Sequence, residues 1–304
     1  MNYAITTHNL TKRFRRTNAV ENLNLEIPEG SICALLGPNG AGKSTTLKML
    51  VRLIRPSDGD AMVLGHSSRE LTAKNFEEIG YVAEDQQLPL WMRVDQYFEY
   101  LKPFYPTWDD GFRQKLAEVL DLDTSRKLKH CSRGMRMKAA LLGAVTFRPK
   151  LLILDEPFTG LDPLVREQVI QALVELTQSD GWTILISSHD MEEVERVADR
   201  IAFLNMSKLL LSEPTDKLLE RFRKVEVTFS DPPQQLPIRN CPKDWLSFRQ
   251  QDNLATFCDS KFDEGELQKR IPELLGAGKI ESSRMSLREI FVAIAANHRT
   301  EKTG

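Results

Sequence analysis

Residues 37–45 read Gly-Pro-Asn-Gly-Ala-Gly-Lys-Ser-Thr and follow directly on the apolar run 32–36. This is the phosphate-loop pattern G-x-x-x-x-G-K-[ST], with a strand expected before it and a helix after it. The glycines let the backbone curl so that successive N–H groups point inward at phosphate oxygens. The helix beginning near Gly42 adds its positive end to the same spot. Gly37, Asn39, Gly40, Gly42 and Thr45 are therefore candidate nucleotide contacts. Lys43 supplies a point charge for the β- and γ-phosphates, and the Ser44 hydroxyl is placed to ligate Mg²⁺. Downstream, Leu-Leu-Ile-Leu-Asp155-Glu156-Pro is an apolar run that ends in two adjacent carboxylates. Beside a phosphate loop, Asp155 fits a Mg²⁺-linked acid and Glu156 a base that polarises the attacking water. Together these residues imply a site for a nucleoside triphosphate.

Such a site needs a frame that holds strand ends, a loop and a helix start together. From Tyr3 to about Arg221, short apolar runs alternate with helical periodicity, the pattern of an α/β domain. Strands are expected at 31–36, 79–83, 151–154, 183–187 and 200–204, and helices at 43–54 and 163–176. Residues 88–147 read as mostly helical. Within them Val94, Tyr97, Phe98 and Leu101 form an i, i+3, i+4, i+7 stripe, read as core, which Pro103 ends. Composition shifts after Phe229, where residues 230–242 carry four prolines and few apolar side chains. That stretch reads as a linker or long loop. Strands at 225–229, 254–258 and 279–282 and helices at 264–275 and 286–296 complete a small αβ unit. The expected domains are 1–221, with a helical subdomain at about 88–147, and 222–304 after the proline-rich linker.

With 304 residues, 41% hydrophobic and 28% charged, the chain has the composition of a globular protein with a sizeable core. A net charge of −2 provides no global basic field, so no nucleic-acid partner is expected. Cys33, Cys131, Cys241 and Cys258 show no C-x-x-C spacing, which argues against a zinc site or a disulfide framework. Reduced thiols of a cytosolic protein are the expectation. The opening residues lack the basic and apolar runs of a signal peptide. No stretch approaches the roughly 18 consecutive apolar residues of a membrane span, so any role at a membrane would run through a partner.

Three further segments specify the family: Cys131-Ser-Arg-Gly-Met135, Gly160-Leu-Asp-Pro163 and Ser187-Ser-His-Asp190. With these the chain resembles the ATP-binding subunit of ABC transporters over about residues 3–221. The resemblance implies a phosphate-loop NTPase of ABC type, a RecA-like α/β core plus a helical subdomain, here with a small C-terminal αβ extension. It implies ATP and Mg²⁺ as cofactors. Phe14 sits where the family stacks an aromatic on adenine. Ser132 and Gly134 look like the signature motif that contacts the γ-phosphate held by the opposite subunit. Asp162 resembles the cross-dimer loop acid, and His189 the switch histidine that senses the γ-phosphate. One phosphate loop per chain then implies two chains packed head to tail around two ATP. They would form a homodimer, or a heterodimer with a second ABC ATPase subunit. Residues 124–150 carry eight Lys or Arg and no Asp or Glu, a positive field around Ser132 suited to a partner's nucleotide.

The chain departs from the family pattern at two places. Cys131 and Arg133 replace the usual Leu and first Gly of the signature. Glu84 stands where the family places a metal-ligating glutamine, with Gln86 and Gln87 as alternatives after a small shift; its carboxylate could itself ligate Mg²⁺. Phe104-Tyr-Pro-Thr-Trp-Asp109 and the Ser-Arg-Gly-Met signature resemble the bacterial exporter-type branch, which includes drug- and peptide-antibiotic-resistance ATPases. Met285-Ser-Leu-Arg-Glu-Ile-Phe291 resembles the end of the accessory extension some of those subunits carry. The implied function is ATP hydrolysis that drives a separate integral membrane permease for export, from the cytoplasmic face of the cell membrane. Residues 84–104 would form the groove for a cytoplasmic helix of that permease. The alternatives are a soluble ABC ATPase with a regulatory or assembly role, and a nucleic-acid-linked ABC ATPase. Against the latter, there is no coiled-coil insertion or tandem motor domain.

Overall fold

The computed structural model describes residues 2–230 and 241–303. They fall into two compact units, 1–212 and 213–304, so the division comes ahead of the boundary drawn at 221. The first unit opens with β1 (Tyr3–Phe14), β2 (Thr17–Leu23), β3 (Glu26–Pro28), β4 (Ile32–Leu36) and α1 (Lys43–Leu50). There follow β5 (Asp58–Val63), β6 (His66–Ser67), α2 (Ala73–Phe76) and β7 (Ile79–Val82). A helical stretch comprises α3 (Val94–Leu101), α4 (Asp110–Val119) and α5 (Arg133–Val145), with 3₁₀ turns at Lys102–Phe104 and Leu128–His130. The chain returns through β8 (Leu151–Asp155), α6 (Pro163–Asp180), β9 (Thr183–Ser188), α7 (Met191–Glu195), β10 (Arg200–Asn205) and β11 (Lys208–Pro214).

The order β10-β4-β9-β8-β7 is parallel throughout, with β11 beyond β10. β4, β8 and β9 are buried from end to end, as unbroken apolar runs are in a parallel sheet covered on both faces. Their register brings Leu36 level with Ser188, and Asp155 level with Ser187. The carboxyl ends of three strands thus share one edge, beside β4 where the chain order reverses. Ligands of open α/β sheets bind at such a point.

A second, antiparallel sheet has β1 at its centre, pairing with β2, β3 and β5. α1 packs between the two sheets, against β8 and β9 on one side and β2 and β5 on the other. Leu47, Met49 and Leu50 share a core with Leu10, Val20, Leu23, Leu35, Ile153 and Leu185. α1 stops at Leu50, short of the expected 54, because Arg52 turns left-handed (φ 58°) and the Leu53 and Ile54 amides bond back to the Lys48 carbonyl. Val94, Tyr97 and Phe98 of the apolar stripe are buried core.

The second unit holds α8 (Thr215–Arg221), β12 (Arg223–Thr228), β13 (Trp245–Gln251), β14 (Leu254–Asp259), α9 (Glu264–Leu275), β15 (Lys279–Arg284) and α10 (Leu287–Thr303). Its antiparallel sheet runs β13-β14-β12-β15. Val225, Val227, Trp245 and Phe257 pack there with Leu267, Ile271 and Leu275 of α9. Residues 231–240, most of the expected linker, lie outside the described residues. β12 before them and β13 after them belong to one sheet, so the segment joins strands within the second unit.

The close approach of α5 to β7 depends on Gly80, where a Cβ would sit 2.5 Å from the Ala144 carbonyl oxygen. Gly80→Ala should therefore cost about 1–3 kcal/mol, the usual range for overpacking. Urea denaturation checks this: the midpoint falls while the slope is unchanged.

Candidate active site

The loop after β4 opens into a cleft of about 480 Å³ lined by Phe14, Ala19, Asn39, Gly40, Gly42, Lys43, Ser44, Thr45, Glu84 and Glu156. Gly42 joins loop to helix at φ 107°, and a Cβ there would lie 2.3 Å from the Ala19 carbonyl oxygen, so both conformation and space require glycine. Lys43 donates to the Gly37 carbonyl at 2.7 Å and lies 3.1 Å from Glu156 Oε1. Both side chains of that pair are buried.

Glu156 follows the last residue of β8 with left-handed backbone (φ 50°), which takes it out of the ladder. Its second oxygen is 2.8 Å from His189 Nδ1 and accepts from the Thr159 hydroxyl at 3.2 Å. One carboxylate thus gathers the phosphate loop, the loop after β8 and the loop after β9. Next to it, Asp155 Oδ1 accepts from Ser44 Oγ at 2.9 Å and from Ser187 Oγ at 2.7 Å. Thr159 and Ser187 were not singled out as site residues from the sequence. For Ser187 the only signal was its place in the Ser-Ser-His-Asp segment.

The donor set suits a small hard cation. Ser44 and Asp155 present oxygens within hydrogen-bond distance of one another, and the Glu84 carboxylate lines the same cleft. The Tyr81 hydroxyl is buried without a partner and lies within the field of Asp155, as a group awaiting an ordered water would. Burial pushes that phenol up to about 12, so it stays a donor. Among the described residues no three His, Cys, Asp or Glu side chains form a metal cage by themselves. An ion held by Ser44 and Asp155 would complete its shell with phosphate and water oxygens, as Mg²⁺ does.

Phe14 stands exposed at the cleft mouth with Lys12 Nζ 5.0 Å over its ring. Ser132, Gly134 and Asp162 are not among the residues that line this cleft. Ser132 caps α5 by accepting from the Met135 amide, and Asp162 caps α6 by accepting from the Val165 amide; both are exposed. Gly134 is buried against Val165, and the Arg133 side chain lies over Gly160.

Residues 20–159 match the family model described as ABC transporter. The bacitracin transport ATP-binding protein BcrA of Enterococcus faecalis is 30% identical over 295 residues, 96% of this chain and 96% of that protein. The osmoprotectant import ATP-binding protein OsmV of Salmonella typhimurium is 33% identical over 71% of this chain and 60% of its own length. A solved ATP-binding subunit of an ABC transporter superposes with a TM-score of 0.65 at 25% identity, covering 71% of this chain and 92% of that one.

Glu84 is exposed at the cleft, so solvent screens its charge and its share in the pH dependence of stability is small. Loss of hydration first, then the charges of Glu156, Asp85 and Asp155, push its carboxyl above the usual carboxylate range, while Arg133 pulls it down. A carboxyl whose pKa rises on folding weakens the fold as pH climbs through its titration, and costs nothing below, where it is protonated in both states. Glu84→Gln should therefore raise the thermal midpoint of the nucleotide-free protein at neutral pH. The gain should fade as pH falls below about 4, under the ordinary glutamate value. A gain undiminished in acid would assign the effect to shape rather than charge.

Proposed function

The chain belongs to the ABC transporter ATP-binding family, and from that premise we propose a Mg²⁺-dependent motor that drives a separate membrane permease for export. It is an ATPase subunit of this family, and we infer that two chains close head to tail around two ATP. The observation that carries the reading is the placement of Glu156 between Lys43 and His189, one residue beyond the Asp155–Ser44 pair.

The hydrolytic step follows from those contacts. A triphosphate entering the cleft offers Lys43 a stronger anionic partner than one carboxylate, so Glu156 is freed from the ammonium. Glu156 then accepts a proton from water while the water oxygen bonds to the γ-phosphorus and the bond from the γ-phosphorus to the β-phosphate oxygen breaks, leaving ADP and phosphate. His189 holds the other carboxylate oxygen and steers the base. Held by Ser44 and Asp155, with Glu84 facing the same cleft, Mg²⁺ would neutralise charge that builds on the phosphate oxygens. Lys43 from one chain and the Ser132 segment from the other would complete the γ-phosphate shell, and Phe14 would stack on the adenine.

A groove of about 210 Å³ between residues 82–90 and α5 supports a docked permease segment. One wall carries Glu84 and Asp85, and the other, on α5, carries Arg133, Arg136, Met137 and Ala140. Leu90, Trp91, Tyr100 and Phe104 are exposed along the neighbouring stretch, an apolar surface that calls for a partner. No helix among the described residues is long and apolar enough to cross a membrane, so the spanning element belongs to another chain in this reading. An osmoprotectant import protein is similar over 71% of this chain as well, so likeness of the ATPase core is not what carries our reading of direction. We favour export on the likeness of residues 104–109 and of the Ser-Arg-Gly-Met signature to the exporter-type branch; the match to the bacitracin transport protein extends through the second unit.

Glu156→Gln should leave ATP binding intact and lower turnover at least about tenfold. Near-normal hydrolysis would remove Glu156 from the role of base. The same variant, tagged and solubilised from membranes with ATP present, should carry a stoichiometric multi-span protein. Recovery only from the soluble fraction would favour a regulatory or assembly ATPase.

A further inference from the structure

The Asp155 carboxylate does not aim itself. A carboxylate rotates about a broad, roughly two-fold torsion, so an aspartate that must present one oxygen to Ser44 needs something to stop that rotation. Ser187 is opposite Asp155 in the parallel ladder, with its side chain on the same face of the sheet and fully buried. Its single proton goes to Asp155 Oδ1 at 2.7 Å, and a lone pair accepts the Glu156 N–H at 3.0 Å. A hydroxyl bonded to a carboxylate at that length is in the short, charge-assisted range.

We infer that Ser187 is a positioning residue for hydrolysis, its hydroxyl locking the Asp155 carboxylate towards Ser44 and steadying the backbone from which Glu156 projects. The inference rests on the reading of Ser44 and Asp155 as the metal-holding pair.

Two observations separate this role from ordinary packing. The neighbouring Ser188 is buried as well, yet its hydroxyl serves only a local turn, donating to the Asp190 carbonyl and accepting the Asp190 amide. Ser188 meets the phosphate loop through its backbone alone, its carbonyl accepting the Gly37 N–H at 3.3 Å, whereas the Ser187 hydroxyl bonds to Asp155 and Glu156 directly. The Glu156 N–H is also shared with the Ser187 carbonyl at 3.2 Å. Removing the hydroxyl therefore leaves that amide paired, and the loss falls chiefly on the aim of Asp155 rather than on the fold.

Ser187→Ala, Ser187→Thr and Ser187→Val test the role, with Asp155→Asn as the control for the metal reading. Threonine and valine have nearly equal volume and differ in the hydroxyl. Mn²⁺ binding in the presence of ATP, followed by electron paramagnetic resonance, should weaken about ten- to a hundredfold in the alanine and valine variants, as for other residues that orient metal ligands. Threonine should restore it. ATP binding without metal should be unchanged in all three, and kcat should fall more than KM for ATP rises. Wild-type Mn²⁺ affinity in Ser187→Ala, or equal affinity in the threonine and valine variants, overturns the inference while Asp155→Asn still weakens Mn²⁺. Unweakened Mn²⁺ binding in Asp155→Asn overturns the metal reading itself and the inference with it.

Discussion

The functional edge of the first unit is organised around the ion pair between Lys43 and Glu156. The two side chains are 5% and 6% exposed and 3.1 Å apart. Neither charge could stay buried there alone, because an unpaired ion in a dry site costs several kcal/mol. Pairing them requires the loops after β4 and β8 to meet, and the parallel register of β4, β9 and β8 brings the ends level. His189 and Thr159 occupy the remaining carboxylate oxygen. A triphosphate that takes the place of Glu156 at Lys43 keeps the ammonium paired, and the freed carboxylate still has His189 and Thr159. The pair thus holds the phosphate loop in place until an anionic ligand replaces Glu156 at the ammonium.

Helix ends carry much of the rest. Ser132, Asp162 and Asp190 each spend their side-chain oxygen on an N-cap, of α5, α6 and α7 respectively. The first two elements are also tied together. Gly134 packs on Val165, Arg133 lies over Gly160, and Lys138 donates to Gln168 at 2.8 Å. Burial lowers the Lys138 pKa, so this tie holds a desolvated ammonium whose nearest relief is the amide and the fields of Asp121 and Asp162. The exposed caps Ser132 and Asp162 are therefore presented by one braced surface rather than by two independent loops.

What could be read from the sequence follows the same physics. β4, β8 and β9 were legible because a strand buried on both faces is an unbroken apolar run, and each run ends in residues whose types announce chemistry. The antiparallel sheet of β1, β2, β3, β5 and β6 was not. β1 has bulges where its register with β2 and β5 shifts, so the alternation that marks a half-buried strand lapses. β13 escaped for a similar reason: Ser247 has left-handed backbone and the register with β14 shifts beside it. The expected boundary at 221 marks where the alternation of apolar runs and helical periodicity ends, whereas the compact units part at 212 and 213, within β11. Ser187 stayed hidden because its role is a register fact: a buried serine means little until its neighbour across the ladder is known to be Asp155.

Glu84 shows how a departure from a family pattern acquires meaning only in three dimensions. It lines the cleft at the phosphate loop and also the groove that runs along α5. On the cleft side it feels the charges of Asp155 and Glu156, and on the groove side that of Arg133, the residue that replaces a signature glycine. An amide at this position would respond weakly to either, since it has no net charge to couple. A carboxylate responds to both with opposite sign: cleft acids disfavour its ionised form, and Arg133 favours it. The two departures from the pattern are of opposite charge and face one groove, so each supplies part of the electrostatic setting in which the other is tolerated.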